Sequence, residues 1–390
     1  MIGRVRDIVP DVERIAVLRA NALGDFIFVL PALEALRACY PYAELVLLGA
    51  PWHESLLRNR PGPVDRVLVV PPVEGIRAPV PGDSPEPAEA MVDFLADARR
   101  ERFDLALQLH GGGANSNPLV AALGARVTAG LRAEDAPPLD RWMRYVFYQP
   151  EIVRYLEAVG LVGAQPLRLA PRLAVTGADL DEAAAVAGEP VRPRVALHPG
   201  ASDPRRRWPA ERFAEVAAEL ATAGYEVVVT GSAGERELAE RVADRARGPV
   251  RSLAGQLSLG GLIGLYAGCR LVVSNDTGPV HVAAAVDTPT VGIFWVGNII
   301  NCAVPLRARH RPIASWTINC PICGVDCSRD IYPYRPGGDC AHQESFVTDV
   351  PVDEVLEAAA DLLDGGGPTG QAAAEPMAGA LGRPLLRGTR

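Results

Sequence analysis

The sequence contains no lysine; all 39 of its basic residues are arginine. Any grip on a phosphate must therefore come from guanidinium groups, backbone amides and hydroxyls. Aromatic residues are scarce at 6% while Ala, Val and Leu dominate, a composition that suits closely packed helix-on-sheet layers. Long hydrophobic runs are missing too. The most apolar early stretch, "FIFVLPALEAL", is broken by Pro31 and Glu34, so no membrane span is predicted. The opening "MIGRVRDIVPDVERIAVLR" lacks the apolar core of a secretory signal and meets acids early. Positive charge is not in excess: the net charge is -8, which argues against a broad nucleic-acid footprint. Seven cysteines, four of them clustered late, do not read as a disulfide framework. A cytoplasmic protein is expected.

What is present is the material of a sizeable globular chain. It has 390 residues, 48% hydrophobic and 22% charged, which leads to an expectation of two domains. Apolar β-rich runs alternate with amphipathic stretches twice over. Strands are predicted at 14–19, 44–49, 66–70, 104–110 and 126–131, and again at 194–200, 226–231, 270–275 and 290–294. Such alternation predicts α/β architecture, with parallel sheets wound by crossover helices. The Pro-, Ala- and Arg-rich segment 166–193 is expected to link a first domain, 1–165, to a second, 194–364. Residues 365–390 carry the composition of a disordered tail. Ligand sites in two doubly wound domains belong at the carboxyl ends of the strands, facing a shared cleft.

Four motifs fall at such strand ends. In "LRANALGDFIFVLPAL" (18–33) a strand empties into a small loop, and Gly24-Asp25 lead into a helix. Asp25 there is either a helix cap or a catalytic carboxylate. In "LHPGASDPRRRWPAERF" (197–213), Ser202 and three arginines precede a helix start, either as a solvated basic loop or as an anion site. "TGSAGERELAE" (230–240) places Glu235 in a first helical turn, where it complements the helix dipole or accepts from ribose hydroxyls. "VVSNDTGPVH" (272–281) supplies Asp276 as a cap, Pro279 for a first turn and Gly278 without side-chain bulk. That would leave the Thr277 hydroxyl and several amides facing a phosphate. His281 reads equally as a core histidine or a ligand contact.

Other signals are weaker. "GGGANS" (111–116) ends in Ser where a dinucleotide fingerprint requires Gly. "HGGG" (110–113) resembles an esterase oxyanion loop, but no G-x-S-x-G elbow accompanies it. "DLD" (179–181) lies at a helix start and is not read as a metal site. Cys320, Cys323, Cys327 and Cys340 form C-x2-C-x3-C-x12-C, which could close a structural zinc site or remain a reduced or partly disulfide-linked cluster.

Taken together, the motifs resemble glycosyltransferase family 9, the ADP-heptose:lipopolysaccharide heptosyltransferase family. "RANALGDFIFVLPALEALRACYP" is similar to its N-terminal signature, and "LHPGAS…RRWPAERF" and "NDTGPVHVAAAVDTPTVGIF" to its two donor-domain signatures, in consistent order from about residue 13 to 363. A cysteine-bearing segment also occurs near this point in some members. The resemblance implies a GT-B fold and inverting, metal-independent sugar transfer from an ADP-sugar to an acceptor hydroxyl. It implies Asp25 as general base, Ser202 and Arg206 on the diphosphate, and Glu235 on the ribose. Asp276, Thr277, Gly278 and His281 would contact the donor sugar and phosphates. Two departures stand out: Arg206 replaces the usual Lys, and Ala22 and Ala201 replace residues that are polar in some members. The partners implied are a nucleotide-sugar donor and a glycan, glycolipid or small-molecule acceptor, with at most peripheral membrane contact. A non-hydrolysing sugar-nucleotide epimerase of the same architecture, or a non-catalytic nucleotide-sugar-binding protein, are the alternatives.

Overall fold

Apolar strands buried on both faces assemble here into two six-stranded parallel sheets. The computed structural model describes residues 6–246, 248–327 and 340–364, so the expected disordered tail lies outside the described residues. In the first sheet the strands are β1 (Arg14–Leu18), β2 (Glu44–Gly49), β3 (Arg66–Val69), β4 (Leu105–Gln108), β5 (Val127–Arg132) and β6 (Arg141–Arg144). Their order is β3-β2-β1-β4-β5-β6. Around them lie α1 (Leu23–Cys39), α2 (Pro51–Leu57), α3 (Pro87–Arg100), α4 (Ser116–Ala122) and α5 (Glu151–Gly160).

Helix α6 (Gly177–Ala187) leads to the second sheet. Its strands are β7 (Arg194–His198), β8 (Glu226–Val229), β9 (Val250–Ser252), β10 (Leu271–Asn275), β11 (Thr290–Trp295) and β12 (His310–Ser315). They run in the order β12-β11-β10-β7-β8-β9. The accompanying helices are α7 (Ala210–Thr222), α8 (Arg236–Arg245), α9 (Leu259–Ala267), α10 (Gly278–Ala285), α11 (Val296–Cys302) and α12 (Val352–Asp364). Both sheets have the doubly wound order, which reverses beside the first strand of each unit and opens a crevice there. The expected pair of Rossmann-like units is what the chain forms.

The segment expected as a linker is not bare chain. It contains α6, capped by Thr176, whose hydroxyl accepts from the Asp179 amide. Gly260, Gly261 and Gly264 let α9 lie directly on α6; a methyl at Gly264 would overlap the Asp179 carbonyl. Arg60 reaches from the end of α2 and makes a two-point contact with the buried Asp179 carboxylate, at 2.6 and 2.9 Å. One hydrophobic cluster runs unbroken from Val17, Ile27 and Leu33 through Tyr155 to Ile263, Tyr266 and Val282. The two sheets thus share a core. Among the described residues, no helix is long and apolar enough to cross a membrane.

Candidate active site

Helices α1 and α10 begin at the carboxyl ends of the central strands β1 and β10, and their first turns meet across the crevice. The two starts can touch because each carries a glycine. A methyl at Gly24 would lie 3.0 Å from the His281 ring, and one at Gly278 would lie 3.0 Å from the Leu23 side chain. The His281 ring packs edge-on against Phe28 of α1, with centroids 4.5 Å apart. Two positive helix ends thereby converge on one place.

On the first unit, Asp25 is not the helix cap. Ala22 occupies that position, and Asp25 sits three residues on, where its Oδ2 accepts weakly from the Ala22 amide at 3.3 Å. Its Oδ1 lies 2.9 Å from Arg19, while the carboxylate stays about one-third exposed (32%) towards the crevice. Burial pushes the Asp25 carboxyl above the ordinary carboxylate range, and the Arg19 guanidinium opposes that rise. The neighbouring His53 and His110 are buried and pulled down to about 3, so both are neutral rings. His110, from the "HGGG" stretch, bonds to Ala20 and Gly75 instead of lining an oxyanion hole.

On the second unit the loop after β7 is set by Asn275. Its side chain accepts from the Trp208 amide at 3.0 Å and donates to the Pro199 carbonyl at 2.8 Å. This draws Ser202 and Arg206 beside the start of α10. Arg206 donates to the Asp276 carbonyl at 3.2 Å and stands 3.3 Å from the Ser202 hydroxyl. Thr277 is the cap residue of α10 by position, yet its hydroxyl makes no capping bond, and Gly278 and Pro279 form the first turn. Arg206 and the Ser202 hydroxyl therefore stand beside the first turn of α10, the kind of grouping that suits an anion.

Asp276 is not the helix cap that the sequence suggested. It precedes the cap residue, is 1% exposed, and turns its oxygens inward. Oδ2 accepts from Asn298 at 2.8 Å and faces Arg206 at 3.5 Å, while Oδ1 faces His281 at 3.4 Å. Burial would raise its carboxyl, but these three partners outweigh it and hold the group below the ordinary range. Glu235 lies under the adjoining loop, close enough to Gly200 that any side chain there would overlap its carboxylate. One oxygen is taken by the amide and hydroxyl of Ser232, both at 2.8 Å. His198, beneath it, is held down at about 4 by burial.

Sequence reasoning did not single out Arg19, Glu151 or Asn298. The Arg19–Glu151 and Asp276–Asn298 contacts are made by folding, across 132 and 22 residues, so local spacing did not mark them. It also missed His342. The thiols of Cys320, Cys323 and Cys340 and the His342 ring bring ligand atoms within 4.8 Å of one another. Cys327, expected as the fourth ligand, is adjacent, but its thiol is directed at the Val325 carbonyl at 3.4 Å. The group that clusters is thus three cysteines and a histidine, with Cys327 beside it, where four cysteines were expected. Backbone amides of Cys323 and Ile322 draw the Cys320 thiol down to about 6, which favours the thiolate.

With this geometry in hand, known proteins can be compared. Residues 93–328 match the model of glycosyltransferase family 9 (heptosyltransferase). Lipopolysaccharide heptosyltransferase 2 of Salmonella typhimurium is 38% identical over 108 residues, which cover 26% of this chain and 31% of that protein. The match thus spans about a third of that relative's length. Lipopolysaccharide heptosyltransferase 1 of Pseudomonas aeruginosa is 25% identical over 308 residues, 73% of this chain and 79% of that one. The solved structure of E. coli ADP-heptose lps heptosyltransferase II superposes with a TM-score of 0.68 at 23% identity, covering 90% of this chain and 98% of that chain. The paired sheets are therefore a GT-B fold, and the chain belongs to glycosyltransferase family 9.

Proposed function

We propose that the protein transfers a sugar, most simply a heptose, from an ADP-sugar to a hydroxyl of a lipopolysaccharide core or similar glycan, with inversion. The observation that carries this reading is the convergence of the α1 and α10 starts. It sets an ionisable, partly exposed Asp25 opposite a phosphate-sized cradle. Asp25 takes the proton of the acceptor hydroxyl as that oxygen attacks the anomeric carbon. The bond to the diphosphate breaks on the far side, and its electron pair leaves with the phosphate oxygen. Arg206, the Ser202 and Thr277 hydroxyls and the first amides of α10 stabilise the charge that develops there. Glu235 has an oxygen over Gly200 to accept from the ribose hydroxyls. Asp276 acts by holding Arg206, Asn298 and His281 in place.

Inversion is the simpler reading, because a single in-line displacement needs one base on the acceptor side and no covalent intermediate. Asp276 is buried and engaged through both oxygens, which leaves Asp25 alone at the reacting face. The epimerase alternative would direct a base at a ring C–H of the donor instead of an acceptor hydroxyl, so product analysis on donor alone separates the two, and a pure binding protein would show neither reaction.

The three thiols and the His342 ring fit a tetrahedral zinc ion. Their contacts of 3.5 to 3.7 Å match the edge, about 3.8 Å, of a tetrahedron with Zn–S near 2.3 Å. Such an ion would be structural, and no step of the transfer runs through it.

The test is transfer from ADP-heptose to heptose-deficient lipopolysaccharide, with the product anomer read by NMR and ADP affinity by calorimetry. Asp25→Asn should lower kcat by about 10²-fold or more while ADP affinity is kept. Near-normal transfer by a folded Asp25→Asn protein would refute the assignment of the base. A retained anomeric configuration would refute inversion. Metal analysis should find about one zinc per chain, lost in Cys323→Ser.

A further inference from the structure

Arg19 is buried to 2% exposure at the end of β1, where Nε and Nη1 donate to backbone carbonyls and Nη2 stands beside two acids as a charge contact without an aligned hydrogen bond. Its Nε donates to the Asp25 carbonyl at 3.0 Å, and its Nη1 donates to the Leu109 carbonyl at 2.8 Å. Its Nη2 lies 2.9 Å from Asp25 Oδ1 and 3.8 Å from Glu151 Oε2. The guanidinium lies over the Tyr155 ring, 4.7 Å from its centroid. Glu151 is held in turn by Arg154 and by the Tyr155 hydroxyl. A single cation thus stands between two carboxylates, one facing the crevice and one sealed beneath it.

We propose that Arg19 is a positioning residue: it fixes Oδ2 as the Asp25 oxygen that meets the acceptor hydroxyl, and it supplies the counter-charge for that carboxylate. The proposal rests on the reading of Asp25 as base. Oδ1 is claimed by Arg19, whereas Oδ2 has only the 3.3 Å contact with the Ala22 amide. The lone pair left for an incoming proton is therefore on Oδ2. The guanidinium is locked by two backbone carbonyls and cannot follow the carboxylate if it rotates, so the direction of the grip comes from that anchorage and the hold on Oδ1 itself is electrostatic.

The groups that face Asp25 are Arg19 beside β1, Glu151 on α5 and His281 on α10; Cys302 on α11 also lies close enough to feel its charge. Around Arg19 stand Tyr155, Glu151, His53 and His110, the two histidines being neutral. Burial and Glu151 both raise the Asp25 carboxyl, and Arg19 is the largest influence pulling it back. The two neighbours should therefore move Asp25 in opposite directions when neutralised.

The experiment titrates Asp25 by carboxyl-13C NMR of Asp-labelled full-length protein, with the signal assigned by its loss in Asp25→Asn. The kcat–pH profile is measured in parallel with ADP-heptose and heptose-deficient lipopolysaccharide. Arg19→Gln should raise the Asp25 midpoint by about one unit or more, and Glu151→Gln should lower it. Arg19→Lys should keep the midpoint near that of the parent while kcat falls about tenfold or more, because the charge stays and the directional grip is lost. ADP affinity should be unchanged in all three. An unmoved midpoint in Arg19→Gln, or full kcat in Arg19→Lys, overturns the proposal. Should Arg19→Gln fail to fold, the midpoint of Glu151→Gln and the rate of Arg19→Lys still decide it. Failure of the underlying reading looks different: Asp25→Asn then keeps its rate whatever the midpoints do.

Discussion

At the scale of the residue, the site separates two aspartates by environment. Asp276 is held ionised by Arg206, Asn298 and His281, so its contribution to stability is present above the ordinary carboxylate range and is lost as pH falls through its lowered value. Asp25 is shifted the other way, chiefly by burial. A base must be deprotonated to act, so the acid limb of kcat should lie above the ordinary carboxylate value, and it should vanish as a feature of Asp25 in Asp25→Asn. A profile flat down to pH 4 would contradict this. Arg206 invites a second prediction. Arg206→Ala removes a charge-assisted contact worth about 1.5–3 kcal/mol, so ADP affinity should fall at least about tenfold by calorimetry. Arg206→Lys restores the residue usual in the family and should recover most of that loss, because a diphosphate can be met by a point charge. Equal losses in both variants would mean that the planar fork, not the charge, holds the phosphate.

At the scale of the element, the closest approaches are made by glycines. Gly264 lies against the backbone of α6, where a methyl would overlap the Asp179 carbonyl and neither helix could yield by rotating a side chain. Gly264→Ala should therefore destabilise the chain by roughly 1–3 kcal/mol, read as a lower Tm, with ADP affinity at low temperature intact. An unchanged Tm would show that α6 and α9 slide freely. The same elements show what could be read in the sequence. The β2 strand at Glu44–Gly49 and the β10 strand at Leu271–Asn275 were legible because central parallel strands are buried on both faces and spell apolar runs. The strands that were not legible, β6, β9 and β12, are all at sheet edges. β6 reads Arg-Trp-Met-Arg, β9 has three residues, and β12 contains Pro312, which an edge tolerates. Asp25, Arg206 and Thr277 could be singled out as candidates because the fold puts strand-end loops at its crevice. Arg19 could not, since its meaning depends on Glu151, 132 residues away on another helix. His342 was passed over although it stands two residues after Cys340 and contacts it, a Cys-x-His spacing that the sequence does display.

At the scale of the whole molecule, two sheets that could have been independent units are fastened at two places. One is the glycine-lined meeting of α1 and α10, which is also the proposed seat of the reaction. The other is the Arg60–Asp179 pair, which ties the first unit to the helix leading into the second. Both partners are nearly sealed from water, with side chains 5% and 6% exposed. Removing one leaves the other as an uncompensated buried charge, at a typical cost of about 3–5 kcal/mol. Arg60→Gln should therefore lower the midpoint of thermal unfolding. The form of the transition is the sharper observation. Because one hydrophobic cluster passes from β1 and α1 through α5 to α9 and α10, the variant should still unfold in a single calorimetric transition. Two resolved transitions would show that the ion pair, and not the shared apolar core, couples the units. Transfer kinetics should agree with the calorimetry: if the core holds the crevice in register, Arg60→Gln should retain kcat below its unfolding range, since Asp25 and the α10 start are aligned by Gly24, Gly278, Phe28 and His281.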